Sequence, residues 1–367
     1  MSNDRHFLLA PELLLIGRGV ANRLPDIVAE RGHHCLIVAD PGGAHAASAA
    51  VAALQARQPG SQFRLFHGEC ARESIERLAR DADSFDVVLA VGGGKVLDTG
   101  KGVAAERRCP CVTLPTSAAT CAAYTSLCIL HTTDGAYVDS VRLPQPVAAA
   151  IVDPGLILTA PARYLAAGIA DALARAFDTI LAARCGLPDA AAATSLAICH
   201  SYTSVALLPL GARALDDHRR GETSDSFTRI VEASIVGAGL AGELGGRFFG
   251  RSFSHAVGYA LSHVVHPDRV LHGEAVALGL LVHCLLDPQP PLPLDRLARC
   301  FAQWGLPTSF SALGVRDITA ASGWRLAECA LDYLDLERAI PFPVDARRLR
   351  EAMLTLGASP QHEAPSR

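Results

Sequence analysis

Short, mostly apolar runs recur through the first 155 or so positions of the chain, at residues 13–16, 35–39, 63–66, 87–91, 111–114 and 149–153. Their length and aliphatic content predict strands. Between them, residues 44–58, 72–82 and 96–106 carry helical spacing. Strands alternating with helices predict a parallel sheet covered on both faces. Residues 125–130 and 136–141 flank a loop that ends in Asp134-Gly135, and Asp-Gly between two β-type runs predicts a hairpin. After Pro154 the texture changes. From Pro161 onward helical patterns dominate, at 164–183, 190–208, 224–241, 253–264, 274–286 and 294–304. Residues 287–293, with four prolines, read as a loop between helices. The boundary falls between Asp153 and Pro161, which gives an α/β domain over 1–159 and an all-helical domain over 160–367. The tail 359–367 is expected to fray.

Composition narrows the class. Of 367 residues, 50% are apolar and 19% charged, below the roughly 25% charge usual in soluble domains. Such a chain buries a large core, and association with a copy of itself, a homo-oligomer, is expected. Disorder is excluded as the main description. A net charge of −4 offers no basic field for nucleic acid. The longest apolar stretch, near 275–286, contains His283 and Cys284 and reads as a buried helix, so no membrane span is expected. The first residues lack a basic start, and 13–16 is too short for a signal core. Eleven cysteines are scattered without any Cys-x-x-Cys spacing, which reads as reduced thiols in a cytoplasmic protein.

Only two of the 33 basic residues are lysine, Lys95 and Lys101; the rest are arginine. Both lysines sit beside one glycine turn. Chance in an arginine-rich chain is the plain alternative; the functional one is a compact ammonium that arginine cannot replace. Residues 87–91 run into Gly92-Gly93-Gly94-Lys95, and Val96-Leu97-Asp98 opens a helix. Glycines let a backbone approach phosphate, and the helix start offers free N–H groups with a positive dipole end. The turn is neither a P-loop nor a G-x-G-x-x-G fingerprint, since position 97 is leucine. Asp40 ends the second strand, where a carboxylate can bind a ribose diol and repel a 2′-phosphate, or only start the Pro41-Gly42 turn.

Five of the fourteen histidines, His255, His263, His266, His272 and His283, fall in one 29-residue stretch. A cluster favours metal binding, but spacing alone selects none of the five. Asp171 lies inside an apolar helical pattern, where a carboxylate needs a partner or a cation. An ion pair with Arg175, one turn on, is the simple alternative.

These residues together resemble the iron-containing alcohol dehydrogenase superfamily of the glycerol dehydrogenase type, which shares its fold with dehydroquinate synthase. The resemblance is carried by Gly68-Glu-Cys-Ala-Arg-Glu, Gly92-Gly-Gly-Lys-Val-Leu-Asp-Thr-Gly-Lys101, Pro115-Thr116, Gly168-Ile-Ala-Asp-Ala-Leu-Ala174, Ser254-His-Ala-Val257 and Leu271-His-Gly-Glu-Ala-Val-Ala277, in family order over about residues 10–310. It implies a dinucleotide in the first domain, its diphosphate at Gly93, Gly94 and Lys95 and a ribose near Asp40. Asp98, Thr116, Thr125, Leu127 and His131 fall among the cofactor-binding positions. Asp171, His255 and His272 fall on the three metal ligands, which fit Zn²⁺ or Fe²⁺ and leave a position open for substrate oxygen. The implied chemistry is acidification of a substrate hydroxyl and hydride transfer to NAD, with NADP as the alternative.

The chain departs from glycerol dehydrogenases in one informative place. Those enzymes carry a Ser-Thr-Asp run whose Asp binds a glycerol hydroxyl; here it is Ala119-Thr120-Cys121. The stretch 115–125 looks more like the hydroxycarboxylate dehydrogenase branch, whose members reduce 2-oxo acids. Cys121 would not repel a carboxylate, and Arg251, one turn before His255, is the expected cation. Two alternatives stand beside this reading. One is oxidation of a β-hydroxy acid followed by loss of CO₂. The other is a dehydroquinate synthase-type cyclase, although those enzymes carry Glu where this chain has Asp171.

Overall fold

The computed structural model describes residues 8–186, 190–245, 253–265, 269–315, 321–334 and 340–357. Its first part runs β1 (Leu14–Ile16), α1 (Leu24–Ala29), β2 (Cys35–Ala39), α2 (Pro41–Ala46), α3 (Ser48–Arg57), β3 (Gln62–Leu65), α4 (Arg72–Asp81), β4 (Val87–Gly92), α5 (Gly94–Arg107), β5 (Cys111–Pro115), β6 (Leu127–His131), β7 (Tyr137–Arg142) and β8 (Ala149–Val152). Six strands form one sheet in the order β1-β8-β5-β4-β2-β3, and every pairing in it is parallel. The expected sheet is therefore present. Its central strands are apolar on both sides because both faces are covered. Leu36, Val38, Val88 and Ala90 face one core, and Ile37, Leu89, Leu114 and Ile151 face the other with α1 and α3. The expected hairpin is the antiparallel pair β6–β7.

The strand order has a physical consequence. From β2 the chain crosses outward to β3, while from β4 it crosses the other way to β5. The carboxyl ends of β2 and β4 thus flank a switch in winding direction, where an open α/β sheet leaves a crevice. Asp40 and the Gly92–Gly94 turn stand at that crevice.

The second part is helical: α6 (Pro154–Ile157), α7 (Ala162–Arg184), α8 (Ala190–Tyr202), α9 (Leu208–Arg219), α10 (Asp225–Glu232), α11 (Ala238–Gly245), α12 (Phe253–Leu261), α13 (His272–Leu286), α14 (Leu294–Trp304), α15 (Ala321–Tyr333) and α16 (Ala346–Thr355). Several boundaries differ from the sequence pattern. The single helix expected over 44–58 is two, because Asp40 caps a helix beginning at Pro41 and the backbone at Ala47 leaves helical geometry. Helical pattern 190–208 ends in a π-helical turn, Thr203–Leu207, just ahead of Pro209, which cannot donate the next backbone hydrogen bond. A second π-helical turn, Ala233–Gly237, interrupts 224–241. Helix 253–264 stops at Leu261. Helices α15 and α16 were not visible as periodic stripes, since small residues such as Ala327, Ala330 and Ala352 supply much of their buried faces.

The continuous helical run Ala190–Arg219, 30 residues long, is apolar enough to cross a membrane by length and composition alone, a test that the core helix of a soluble protein also passes. Its apolar residues are interspersed with Ser, Thr and His, so the sequence shows no unbroken apolar stretch. Only 33% of its most apolar window is buried. Two of its polar side chains tie it to its neighbours: Ser195 Oγ donates to the Ala241 carbonyl at 2.7 Å, and Tyr202 Oη donates to the Ala172 carbonyl at 2.9 Å.

Two glycines set how closely the central helices approach. A Cβ on Gly273 would lie 2.0 Å from the carbonyl oxygen of Ala167, and one on Gly279 would lie 2.1 Å from that of Ser254. Helix α13 therefore packs backbone to backbone against α7 and α12. Those contacts fix the neighbours of both glycines: His272 precedes Gly273, and His255 follows Ser254. Gly279→Ala is expected to lower stability by about 1–3 kcal/mol or more, the usual cost of overpacking where the obstacle is backbone. Denaturant unfolding measures this.

Candidate active site

The cleft between the sheet's carboxyl edge and the helices has a volume of about 1250 Å³. That exceeds the usual 300–1,000 Å³ of small-ligand pockets and leaves room for an extended ligand beside a small one. Its floor is α7. Asp171 projects from this helix, His255 from α12 and His272 from the first turn of α13. Asp171 Oδ1 lies 3.2 Å from His255 Nε2 and 3.5 Å from His272 Nε2, and one donor atom from each residue falls within 4.8 Å of the others. Ligand bonds of 2.0–2.2 Å at tetrahedral angles set donor atoms about 3.3 Å apart, so the spacing fits one ion.

Protons argue the same way. His255 Nδ1 lies 3.1 Å from Asp178 Oδ2, on the ring's other side. A neutral imidazole has one N–H, and both flanking groups are carboxylates, which only accept. Satisfying both sides requires a second proton or a cation between His255 and Asp171. With Nδ1–H donated to Asp178, the lone pair of Nε2 faces the shared point, the usual orientation of a metal-binding histidine. Burial opposes charge on Asp171, but hydrogen bonds from His255 and His272 hold its carboxyl well below the usual range. Burial likewise disfavours charge on His255, yet Asp171 and Asp178 raise its pKa. His255 and Asp171 are buried, while the His272 side chain is 34% exposed and marks the open side. Tyr259, one turn after His255, stacks on His272 with ring centroids 5.7 Å apart and is itself stacked on Tyr137.

At the other end, Asp40 does more than terminate β2. Its Oδ1 accepts from Gly43 N at 2.6 Å, and its Oδ2 accepts from Gly93 N at 2.8 Å. It caps α2 and staples the glycine turn across the switch in winding. Gly92 needs its φ of +138° there, and a Cβ on it would fall 2.1 Å from Asp40 Oδ2. Lys95 lines the cleft and is ion-paired with Glu69. Lys101 has a different task from the one its position suggested. Fully buried, its ammonium donates to the carbonyls of Ala122 (2.8 Å), Thr125 (2.9 Å) and Leu127 (2.5 Å), and lies 2.8 Å from Asp98 Oδ1. Asp98 Oδ2 accepts from Ile129 N at 3.0 Å. Burial opposes its charge, but Asp98 keeps the Lys101 pKa raised. Planar guanidinium could not converge on these acceptors.

The positions singled out in the sequence distribute as follows. Asp40, Gly93, Gly94, Lys95, Asp98, Cys121, Thr125, Leu127, His131, Asp171, His255 and His272 line the cleft. Thr116 lies beneath it, its N–H bonded to Gly92 O at 3.1 Å, while Ser117 and Thr120 form the wall. Burial lowers the pKa of His131 and pushes the Cys121 thiol up to about 12, so Cys121 is neutral. Arg251 and His266 lie outside the described residues. His263 bonds Tyr333 Oη at 2.7 Å, away from Asp171, and His283 is a buried partner of Asp287 at 3.2 Å. The sequence reading gave Asp178 no role; its place seven residues after Asp171, on the same helical face, was the available signal. Asp171 does turn to the imidazoles, where the simple alternative had paired it with Arg175.

Such a cleft, with a glycine turn at the switch point of a parallel sheet at one end and three side chains spaced to hold an ion at the other, is the arrangement expected of a metal-dependent dehydrogenase. Comparison with known proteins agrees. The family model "Iron-containing alcohol dehydrogenase" matches residues 11–154. Hydroxycarboxylate dehydrogenase A of Escherichia coli (strain K12) is 34% identical over 268 residues, covering 70% of this chain and 71% of that protein. A glycerol dehydrogenase of Thermotoga maritima is 30% identical over 288 residues, covering 77% and 78%. The crystal structure of a probable glycerol dehydrogenase from Sinorhizobium meliloti 1021 superposes with a TM-score of 0.83 at 29% identity, covering 96% of this chain and 98% of that one. The chain belongs to the iron-containing alcohol dehydrogenase family, and it is an oxidoreductase of that type.

Metal binding must displace the proton that Asp171 and Asp178 favour on His255. Affinity of metal-free protein for Zn²⁺ is therefore expected to rise with pH through and above 6.5, with proton release. Calorimetry in two buffers of different ionisation enthalpy reads both. Without metal, the raised His255 pKa stabilises the fold below pH 6.5, and this is lost as pH rises through the folded value. The depressed Asp171 pKa stabilises it above 3.8, and this is lost on acidification. Asp178→Asn is expected to weaken Zn²⁺ binding about 10–100-fold, measured against a competing chelator.

Proposed function

We propose that this enzyme transfers a hydride between a secondary alcohol, a small hydroxy acid or related hydroxy compound, and a nicotinamide dinucleotide, NAD in preference to NADP. A divalent ion, Zn²⁺ or Fe²⁺, would be held by Asp171, His255 and His272. The observation that carries this is the convergence of those three side chains at ion-binding spacing in the same cleft as the Gly92–Gly94 turn. When bound, the ion supplies Lewis acidity at the substrate oxygen and the nicotinamide accepts or returns the hydride.

The chain's own residues set the rest. Gly94 and the start of α5 present N–H groups to a diphosphate, Gly93, tied to Asp40, lets the backbone approach it closely, and Lys95 stands as a point charge beside them. Asp40 lines the cleft at the end of β2 and supports NAD over a 2′-phosphorylated cofactor. Asp98, Thr125, Leu127 and His131 flank the path from that turn towards Asp171. Asp178 holds the tautomer of His255, and Tyr259 supports the His272 ring. His272, the most exposed of the three, leaves the approach open. In this reading residues 1–159 form the dinucleotide-binding domain and 160–367 the catalytic one. The enzyme is further taken as a cytoplasmic homo-oligomer, for which the incompletely buried apolar run Ala190–Arg219 is the supporting surface.

An absorbance screen at the NADH band, with hydroxy acids, diols and amino alcohols, with and without added Zn²⁺ or Fe²⁺, tests the proposal. Turnover is expected only with metal. His272→Ala should abolish it while dinucleotide affinity stays nearly intact. Full turnover by that variant removes the ligand assignment.

A further inference from the structure

A carboxylate substrate needs a cation, and Arg251, expected from the sequence, is not among the described residues. The cleft nonetheless contains one. Arg175 stands one helical turn after Asp171 on α7, so its side chain emerges on the same face. It lines the same cleft as Cys121, Asp171, Asp178, Gly242 and His255. A Cβ built on Gly242 would stand 3.8–3.9 Å from its guanidinium, ordinary contact distance, which places the group against α11. We propose that Arg175 holds the carboxylate of the substrate and thereby makes this enzyme selective for hydroxy acids over uncharged alcohols. This rests on the function proposed above and adds to it the residue that selects the substrate.

Charge counting supports the assignment. Around the inner end of the cleft, Asp171 and Asp178 contribute two negative charges and Arg175 one positive. Glu243, the next carboxylate, is already ion-paired with Arg142 and bonded to Ser126. With neutral imidazoles and one divalent ion, the inner cleft carries a net charge of +1. A monoanionic hydroxy acid cancels it; a diol leaves it uncompensated in a poorly hydrated space. Cys121 completes the argument. Facing the same space as an uncharged thiol, it adds no repulsion. The guanidinium fork matches a carboxylate with two parallel hydrogen bonds, which lysine cannot reproduce.

Oxamate, an unreactive 2-oxo acid mimic, and methyl oxamate, its uncharged ester, separate charge recognition from shape. Their binding to the metal- and NADH-loaded enzyme is measured by calorimetry. Wild type is expected to prefer oxamate by roughly 10–100-fold, the range for a charge-assisted pair. Arg175→Met should erase the preference, and Arg175→Lys, which keeps the charge and guards against a misfolded Met variant, should retain part of it. In turnover, the preference for lactate over propane-1,2-diol should fall by a similar factor in Arg175→Met, mainly through KM for lactate. A preference kept by Arg175→Met, or lost equally in Arg175→Lys and for both substrates, overturns the assignment. Failure of the wider function would look different: wild type would bind no NADH and reduce no dinucleotide with any alcohol.

Discussion

The arrangement turns on one carboxylate that cannot stand alone. Asp171 is buried in a helix whose neighbours are aliphatic, and removing a lone charge from water costs several kcal/mol. Two imidazoles meet the same oxygen atom, and neither can neutralise it without a further positive charge. The helices around it are arranged for that meeting. Glycines on α13 admit the backbones of α7 and α12, and a second carboxylate, Asp178, braces the buried imidazole from behind. A site of this kind is unfavourable with neutral imidazoles and no added charge, and is completed by a second proton on His255 or by a cation held among the three donors.

The cofactor end obeys a similar logic with backbone groups. At the switch in winding direction, Asp40 ties the end of β2 to the turn after β4. Lys101 then ties α5 to the segment 122–127 through three carbonyls and the Asp98 carboxylate. The wall that carries Cys121 is thereby fastened to the helix that begins at the glycine turn. The glycine turn and the Cys121 wall are thus joined through buried electrostatics.

Much of this was legible beforehand, and for identifiable reasons. Strands buried on both faces announce themselves as apolar runs, so β2, β4 and β5 were located to within a residue, and the hairpin to within two through its Asp-Gly turn. The converging trio was another matter. Nothing in spacing separates His255 and His272 from His263 and His283, because contacts between three helices are long-range; family motifs supplied the selection. Asp178 took no role from the sequence because its partner His255 lies 77 residues on, and Lys101 was placed at the wrong task because three of its acceptors lie 21 to 26 residues on.

The scarcity of lysine gains a practical meaning from the burial of Lys101. The chain has two side-chain amines, one of them sealed in the interior and the other, Lys95, 45% exposed on the wall of the cleft. Reagents that acylate amines therefore find a single internal target. A fluorophore or crosslinker attached that way reports from the cleft beside the glycine turn without any cysteine having to be removed.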